Sequence, residues 1–461
     1  MKPFSDVKGF ILAAASSGTG KTTAAAAICR ALSEKGLAVQ PFKTGPDFVD
    51  PTYLSLASGR RCRSLDGFPN PELMPFFYAE GCAARDGAPK ADIAVIEGVM
   101  GMYDGLGPEG LYSTAWLARA LGLPVILLVD AKAAATSVAA TVKGFASLEP
   151  LAPKVAGVIA NRVSSERHAK LIEEALDRFV GIPLIGWLGN LKDSSFLSRQ
   201  LGLIPAPERK NADDVIDRFA REAAQRIDMS RLAGIAQPPS GNFIAPPAPD
   251  AVKKPDGASV KAAIASDDAF CFHYPENWEL MKNMGAEVVF TSPLNDERVP
   301  ADADILILPG GYPEEFASLL SRNLSYIESV RDFSRKKRVY AECGGMMYLS
   351  RSLEHHGERF DMAGVIETDV KMQSGLHRFG YVEGTALRDN ILFKEGESAR
   401  AHEFHYSSME GRNPEAFRVK RASGRGEEWI DGFVDGERLL ATYLHLNFYS
   451  CPQSVRRLLS F

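Results

Sequence analysis

The stretch Phe10-Ile11-Leu12-Ala13-Ala14-Ala15-Ser16-Ser17-Gly18-Thr19-Gly20-Lys21-Thr22 decides the fold. Phe10 to Ala14 is a continuous apolar run, the pattern of a strand buried on both faces. Thr22 to Lys35 reads as a helix stopped by Gly36. Between them lies a phosphate-binding loop with one departure, Ala15 at its opening glycine position. Small residues let backbone N–H groups wrap phosphate oxygens. Lys21 then reaches the β- and γ-phosphates, Thr22 holds Mg²⁺, and the helix N-terminus adds its attraction. Gly18, Gly20, Lys21, Thr22 and Thr23 are therefore the expected ATP contacts.

Outward from this loop the same alternation continues. Leu37 to Phe42, Asp92 to Ile96, Pro124 to Val129 and Val155 to Ala160 read as strands, spaced widely enough for crossover helices. That spacing predicts a parallel sheet covered on both faces, with ligands at the carboxyl ends of its strands. Two acidic clusters fall at such ends, Lys43-Thr44-Gly45-Pro46-Asp47-Phe48-Val49-Asp50-Pro51 and Glu97-Gly98-Val99-Met100-Gly101-Met102-Tyr103-Asp104-Gly105. Beside a triphosphate, Asp47 and Glu97 are expected to join Thr22 as Mg²⁺ ligands, with Asp50 and Asp104 nearer the reacting substrate. Asn161, after the strand ending at Ala160, is a candidate to read the nucleotide base.

A proline-rich stretch from Gln237 breaks the alternation, with Pro238-Pro239-Ser240-Gly241 and Ala245-Pro246-Pro247. The β/α pattern restarts at Val260, with strands expected at Lys261 to Ala265, Glu287 to Phe290, Ile305 to Leu308 and Val339 to Ala341. The predicted organisation is thus residues 1–236, a linker at 237–258, and residues 259–461. Each half is expected to be one doubly wound, mainly parallel α/β sheet. In the second half Ala341-Glu342-Cys343-Gly344-Gly345 turns sharply from strand to helix, a position that exposes a nucleophile. Gly344 and Gly311, the latter in Pro309-Gly310-Gly311-Tyr312, are the expected oxyanion donors. Cys29 and Cys271 lack such a setting and read as structural.

Composition narrows the class. At roughly 150 residues per domain, 461 residues fit two to four units, each large enough for its own core. A net charge of −5 gives no general attraction to nucleic acid or an anionic membrane. Six scattered cysteines without a CxxC pair fit a reducing, cytoplasmic compartment rather than a disulfide or zinc framework.

The two acidic motifs, taken in order with the phosphate loop, the linker, Pro309 to Glu314, Cys343, Ala401-His402-Glu403-Phe404-His405-Tyr406-Ser407 and His445, resemble the cobyrinic acid a,c-diamide synthase family. Its first half is similar in fold to dethiobiotin synthetase and its second to class I glutamine amidotransferases. The resemblance implies ATP- and glutamine-dependent amidation of two tetrapyrrole carboxylates, with functional acids on Asp47, Asp50, Glu97 and Asp104. It also implies His445 as the base for Cys343, with a glutamate usual two residues later; Asn447 stands there. Asn447, another side chain or a carbonyl is then left to hold the imidazole. His402 and His405 flank Glu403 without the spacing of a metal helix, so a structural or interface role is expected. A polyanionic substrate such as cobyrinic acid calls for cations, and Arg60, Arg61 and Arg63 are the candidates. Ammonia is expected to pass between the sites by an enclosed path. The motifs also resemble nickel-sirohydrochlorin a,c-diamide synthase and cobyric acid synthase. A different class, a P-loop switch ATPase with a vestigial second domain, predicts no glutaminase. No nucleic-acid or membrane partner is expected, and a homodimer stays open.

Overall fold

The computed structural model describes residues 5–85, 87–189, 211–247, 249–424 and 426–460. Residues 190–210 of the predicted first domain lie outside them. The chain divides into two compact units, Met1–Pro246 and Pro247–Phe461. The proline-rich stretch is shared between them. Gln237 exchanges two backbone hydrogen bonds with Gly9, and Ser240 N–H donates to Leu121 O (2.8 Å). Val252 N–H donates to Met284 O (2.7 Å) in the second unit.

In the first unit the strands are β1 (Lys8–Ala14), β2 (Val39–Thr44), β3 (Arg63–Leu65), β4 (Ile93–Glu97), β5 (Val125–Asp130), β6 (Val155–Val163) and β7 (Leu184–Gly189). They pair in parallel in the order β3-β2-β4-β1-β5-β6-β7. The chain winds to one side of β1 first and to the other from β5 onward. The loop after β1 therefore sits where the winding reverses, the place such sheets bind ligands. Ile11 and Leu12 are fully buried, each contributing about 1.5–3 kcal/mol relative to exposure. Helix α1 (Lys21–Glu34) carries Ala24, Ala25, Ala26, Ala27 and Ala31, all buried. These small side chains let it share one core with the sheet and with Phe219, Ala220 and Ala223 of the helix Ala212–Arg226. Helix α2 (Asp50–Ser58) follows β2.

The second unit opens with β8 (Lys261–Ala265), β9 (Glu287–Thr291), β10 (Ile305–Leu308) and β11 (Arg338–Glu342). Then come β12 (Ser352–His355), β13 (Glu358–Asp361), β14 (Thr368–Met372), β15 (Arg378–Ala386), β16 (Ser398–His405) and β17 (Ser407–Gly411). The last are β18 (Phe417–Arg421), β19 (Trp429–Asp431), β20 (Phe433–Asp435), β21 (Leu439–Thr442) and β22 (His445–Leu446). The main sheet runs β20-β21-β11-β10-β8-β9, parallel except at β20–β21. The α/β class expected of this half holds, but the expectation of one sheet does not. Two further sheets, β13-β12-β14-β17 and β19-β18-β15-β16-β22, are added after β11. They matter because β22 carries His445. Among the described residues no helix is long and apolar enough to cross a membrane.

Candidate active sites

In the first unit Gly18 and Gly20 adopt φ of 77° and 93°, which a side chain would strain. Ala15 keeps an ordinary backbone, so this loop does not require the missing glycine. The first turn of α1 contains no acidic residue, which leaves its N-terminal dipole to an anion. Lys21 Nζ donates to Ser16 O (3.1 Å) and Met100 O (2.5 Å), which holds the ammonium over the loop. The segment after β4 lies against this loop. A Cβ on Gly101 would come within 2.6 Å of Ala15 O, and Met102 N–H donates to Ala14 O (2.7 Å). Asp104, exposed, accepts from Gly101 N–H (2.9 Å). Thr23 is buried within α1. Asn161 Nδ2 donates to Thr19 O (2.7 Å) and Arg162 Nη2 to Gly18 O (2.8 Å). Asn161 thus commits one amide N–H to bracing the loop.

The acidic motifs converge on a residue the sequence reading did not single out. Lys43, at 2% exposure, donates to Asp50 Oδ2 (2.5 Å) and Glu97 Oε1 (2.8 Å) and lies 3.6 Å from Asp47 Oδ2. Burial alone would lower its pKa; the charges of Asp50, Glu97 and Asp47 outweigh it and push the ammonium well up. Asp47 Oδ1 accepts from Val49 N–H (3.0 Å) and Asp50 N–H (3.1 Å) and so steers the entry into α2. Asp47 and Glu97 are therefore both in contact with Lys43. Thr22 Oγ1 donates to Glu97 Oε1 (2.8 Å), while Glu97 Oε2 is buried and makes no hydrogen bond. That hydroxyl and that carboxylate oxygen are hard donors of the kind Mg²⁺ takes.

Arg60, Arg61 and Arg63 are not brought to this site as a group. Helix α2 carries the chain from the carboxyl end of β2 back toward its start. Arg60 Nε then donates to Gln40 Oε1 (3.2 Å), early in β2, and Nη1 to Pro89 O, just before β4. Arg60 and Arg61 thus lie at the edge of the sheet opposite the phosphate loop. Arg63 is buried in β3, in register with Phe42. Three arginines close in sequence thus straddle a helix end and a strand start.

In the second unit Cys343 follows β11, a central strand, with φ 45° and ψ −105°. Its N–H donates to Thr442 O (2.7 Å), which fixes the turn. The neighbouring glycines are required by space. A Cβ on Gly345 would lie 2.0 Å from Leu308 O, one on Gly311 2.0 Å from Ala269 O, and one on Gly344 2.9 Å from Gly311 N. Gly311 and Gly344 are thereby adjacent beside the thiol. A Cβ on Gly310 would meet His445 Cε1 at 2.5 Å, so the same loop passes the imidazole. Burial pushes the Cys343 thiol well up, helped by Glu314, Glu342 and Glu403, against the Gly344 N–H that lowers it. Cys343 Sγ donates to Phe404 O (3.8 Å).

His445 is buried and held through β22, which pairs with β16 so that His402 lies opposite it; their rings stack at 4.6 Å. Asn447 Oδ1 accepts from Tyr449 N–H (3.1 Å) and caps the short turn Phe448–Ser450. What lies beside His445 Nδ1 is Glu342 Oε2, at 3.6 Å. His405 stacks on Tyr443 at 3.7 Å, and its Nδ1–H donates to Ser407 O (2.9 Å). Burial pushes His405 down to about 4 and Glu403 up to about 7. Glu403 Oε1 is in hydrogen-bond contact with His405 Nε2 (2.9 Å).

Fold and sites together define a nucleotide-binding unit followed by a glutamine amidotransferase unit. Residues 10–201 match the CobQ/CobB/MinD/ParA nucleotide binding domain, and residues 261–452 the CobB/CobQ-like glutamine amidotransferase domain. Cobyrinate a,c-diamide synthase of Listeria monocytogenes (serotype 4b, strain F2365) is 40% identical over 95% of this chain and 96% of its own. Those of Salmonella typhimurium and Caldanaerobacter subterraneus are 39% and 38% identical, each over 98% of this chain and 97% of its own. The chain belongs to the cobyrinate a,c-diamide synthase family.

Proposed function

We propose that this chain amidates the a and c side-chain carboxylates of cobyrinic acid, using ATP and glutamine, in cobalamin biosynthesis. The observation that carries the reading is similarity to relatives so named over 95% and 98% of this chain. The work divides between residues 1–236 and 259–461, joined by 237–258.

In the second unit Cys343 attacks the side-chain amide of glutamine, and His445 takes the thiol proton and passes it to the departing ammonia. The N–H groups of Gly311 and Gly344 support the oxyanion. Water then releases glutamate from the thioester. In the first unit a substrate carboxylate attacks the γ-phosphate of ATP to give an acyl phosphate, because a free carboxylate has no competent leaving group. Lys21 offsets charge on the moving phosphoryl group, and Asp50 and Asp104 act nearer the substrate. Thr22 and Glu97 would hold Mg²⁺, which would offset negative charge on the phosphates. Ammonia displaces phosphate. Two carboxylates require two rounds. The six cysteines, none of them in a disulfide, support a cytoplasmic setting.

Incubation with ATP, Mg²⁺, glutamine and either cobyrinic acid or nickel-sirohydrochlorin, followed by mass spectrometry, tests this. The expected product is cobyrinic acid with two hydroxyl-to-amino exchanges. Exchange on the nickel compound alone moves the assignment there, and no exchange on either removes it.

A further inference from the structure

We propose that Glu342, the residue immediately before the nucleophile, is the positioning acid for His445, accepting its Nδ1–H. The inference rests on the reading of Cys343 and His445 as the glutaminase pair. A histidine base works when its acid fixes the tautomer that leaves Nε2 free to take a proton. Two residues beyond His445 stands Asn447, whose side-chain oxygen caps a backbone turn.

Glu342 is built for the task. Its carboxylate is divided between two duties. Oε1 accepts from Tyr340 Oη (2.5 Å) and from Leu446 N–H (3.1 Å), the residue next to the histidine. Both donors are buried. This clamp fixes the carboxylate plane and leaves Oε2 facing Nδ1 at 3.6 Å. Catalytic hydrogen bonds are often this long before substrate arrives and tighten when it binds. The backbone supports the geometry from both sides. Glu342 is in register with Thr442 on β21, and Thr442 O holds the Cys343 N–H, so one strand end carries both nucleophile and acid. Glu403, the other nearby carboxyl, is engaged with His405 Nε2 instead.

The test uses the full chain and measures glutamate release from glutamine, ammonia-dependent amidation of cobyrinic acid, and the ¹⁵N signals of the histidine ring. Exchanging the acid for its amide in a Ser-His-Asp triad costs about 10⁴ in kcat. Glu342→Gln is expected to lower kcat for glutamate release by roughly 10²-fold or more, with KM for glutamine within about 3-fold. Ammonia-dependent amidation stays at the unsubstituted level, Glu342→Asp recovers part of kcat, and the Nδ1–H signature of His445 is lost only in the Gln variant. Asn447→Ala changes kcat by less than about 3-fold, as the loss of a cap should. Glutamate release by Glu342→Gln within about 3-fold of the unsubstituted chain overturns the inference. So does parallel loss of ammonia-dependent turnover, or a larger effect at Asn447. Cys343→Ala separates the two claims. If it is inactive with glutamine while Glu342→Gln is normal, the glutaminase reading stands and this inference falls. If Cys343→Ala still releases glutamate, both fall.

Discussion

The phosphate loop after β1 and the elbow after β11 are both turns from a parallel strand into a helix, yet they place backbone strain differently. In the phosphate loop the working atoms are N–H groups and the end of Lys21. The positive φ values fall on Gly18 and Gly20, where they cost little. At the elbow the turning residue must also carry the reactive atom. Cys343 itself takes φ 45°, a conformation costing about 1–3 kcal/mol in a residue with a side chain. The Thr442 carbonyl, Gly344 and Gly345 hold it there. A loop that binds with its backbone can leave the unfavourable geometry to glycine; a loop that reacts with a side chain cannot.

Substitutions at the two turns should therefore fail in different ways. Lys21→Ala is expected to abolish amidation with glutamine or ammonia while glutamate release persists; normal amidation would remove the phosphate-loop assignment. Cys343→Ala should abolish only glutamine-dependent amidation, and assays with ammonia should read close to the unsubstituted rate. Loss of both would make the thiol structural. Lys43→Met, beside the phosphate loop, should destabilise the chain by about 3–5 kcal/mol in urea unfolding by removing the cation from buried carboxylates. Since the ammonium's pKa is raised, its contribution is complete at neutral pH and is lost only in strongly alkaline solution. The deficit of the variant should shrink toward acid pH, as the carboxylates take up protons. The smallest effect separates strain from chemistry. Cys343→Gly should be about 1 kcal/mol more stable than Cys343→Ala, both lacking glutaminase. Equal unfolding midpoints would mean that the elbow is relaxed.

Much of the fold could be read because its central strands are buried runs such as Phe10 to Ala14 and Ile305 to Leu308. The added sheets could not. Glu358–Asp361 and Arg378–Ala386 mix polar and apolar residues on partly exposed faces, and no continuous apolar run marks them. The phosphate loop and Cys343 were legible because their neighbours are local in sequence. Lys43 was not, since a lysine is buried only when carboxylates gather around it, and Glu97 arrives from a separate segment. Glu342 escaped for a similar reason. A rule that looks two residues beyond the histidine finds Asn447, whereas the acid reaches His445 from β11. The three arginines are close in sequence, yet a helix end and a strand start separate them in the fold.

The pairing of β22 with β16, and of β21 with β11, also sets when the second site comes into being. Cys343 leaves the ribosome about a hundred residues before His445, an interval of roughly 5–20 s at ordinary rates of synthesis. During that interval the chain holds a thiol with no base beside it. With His445 as the proposed base, an unfinished chain would not yet hydrolyse glutamine.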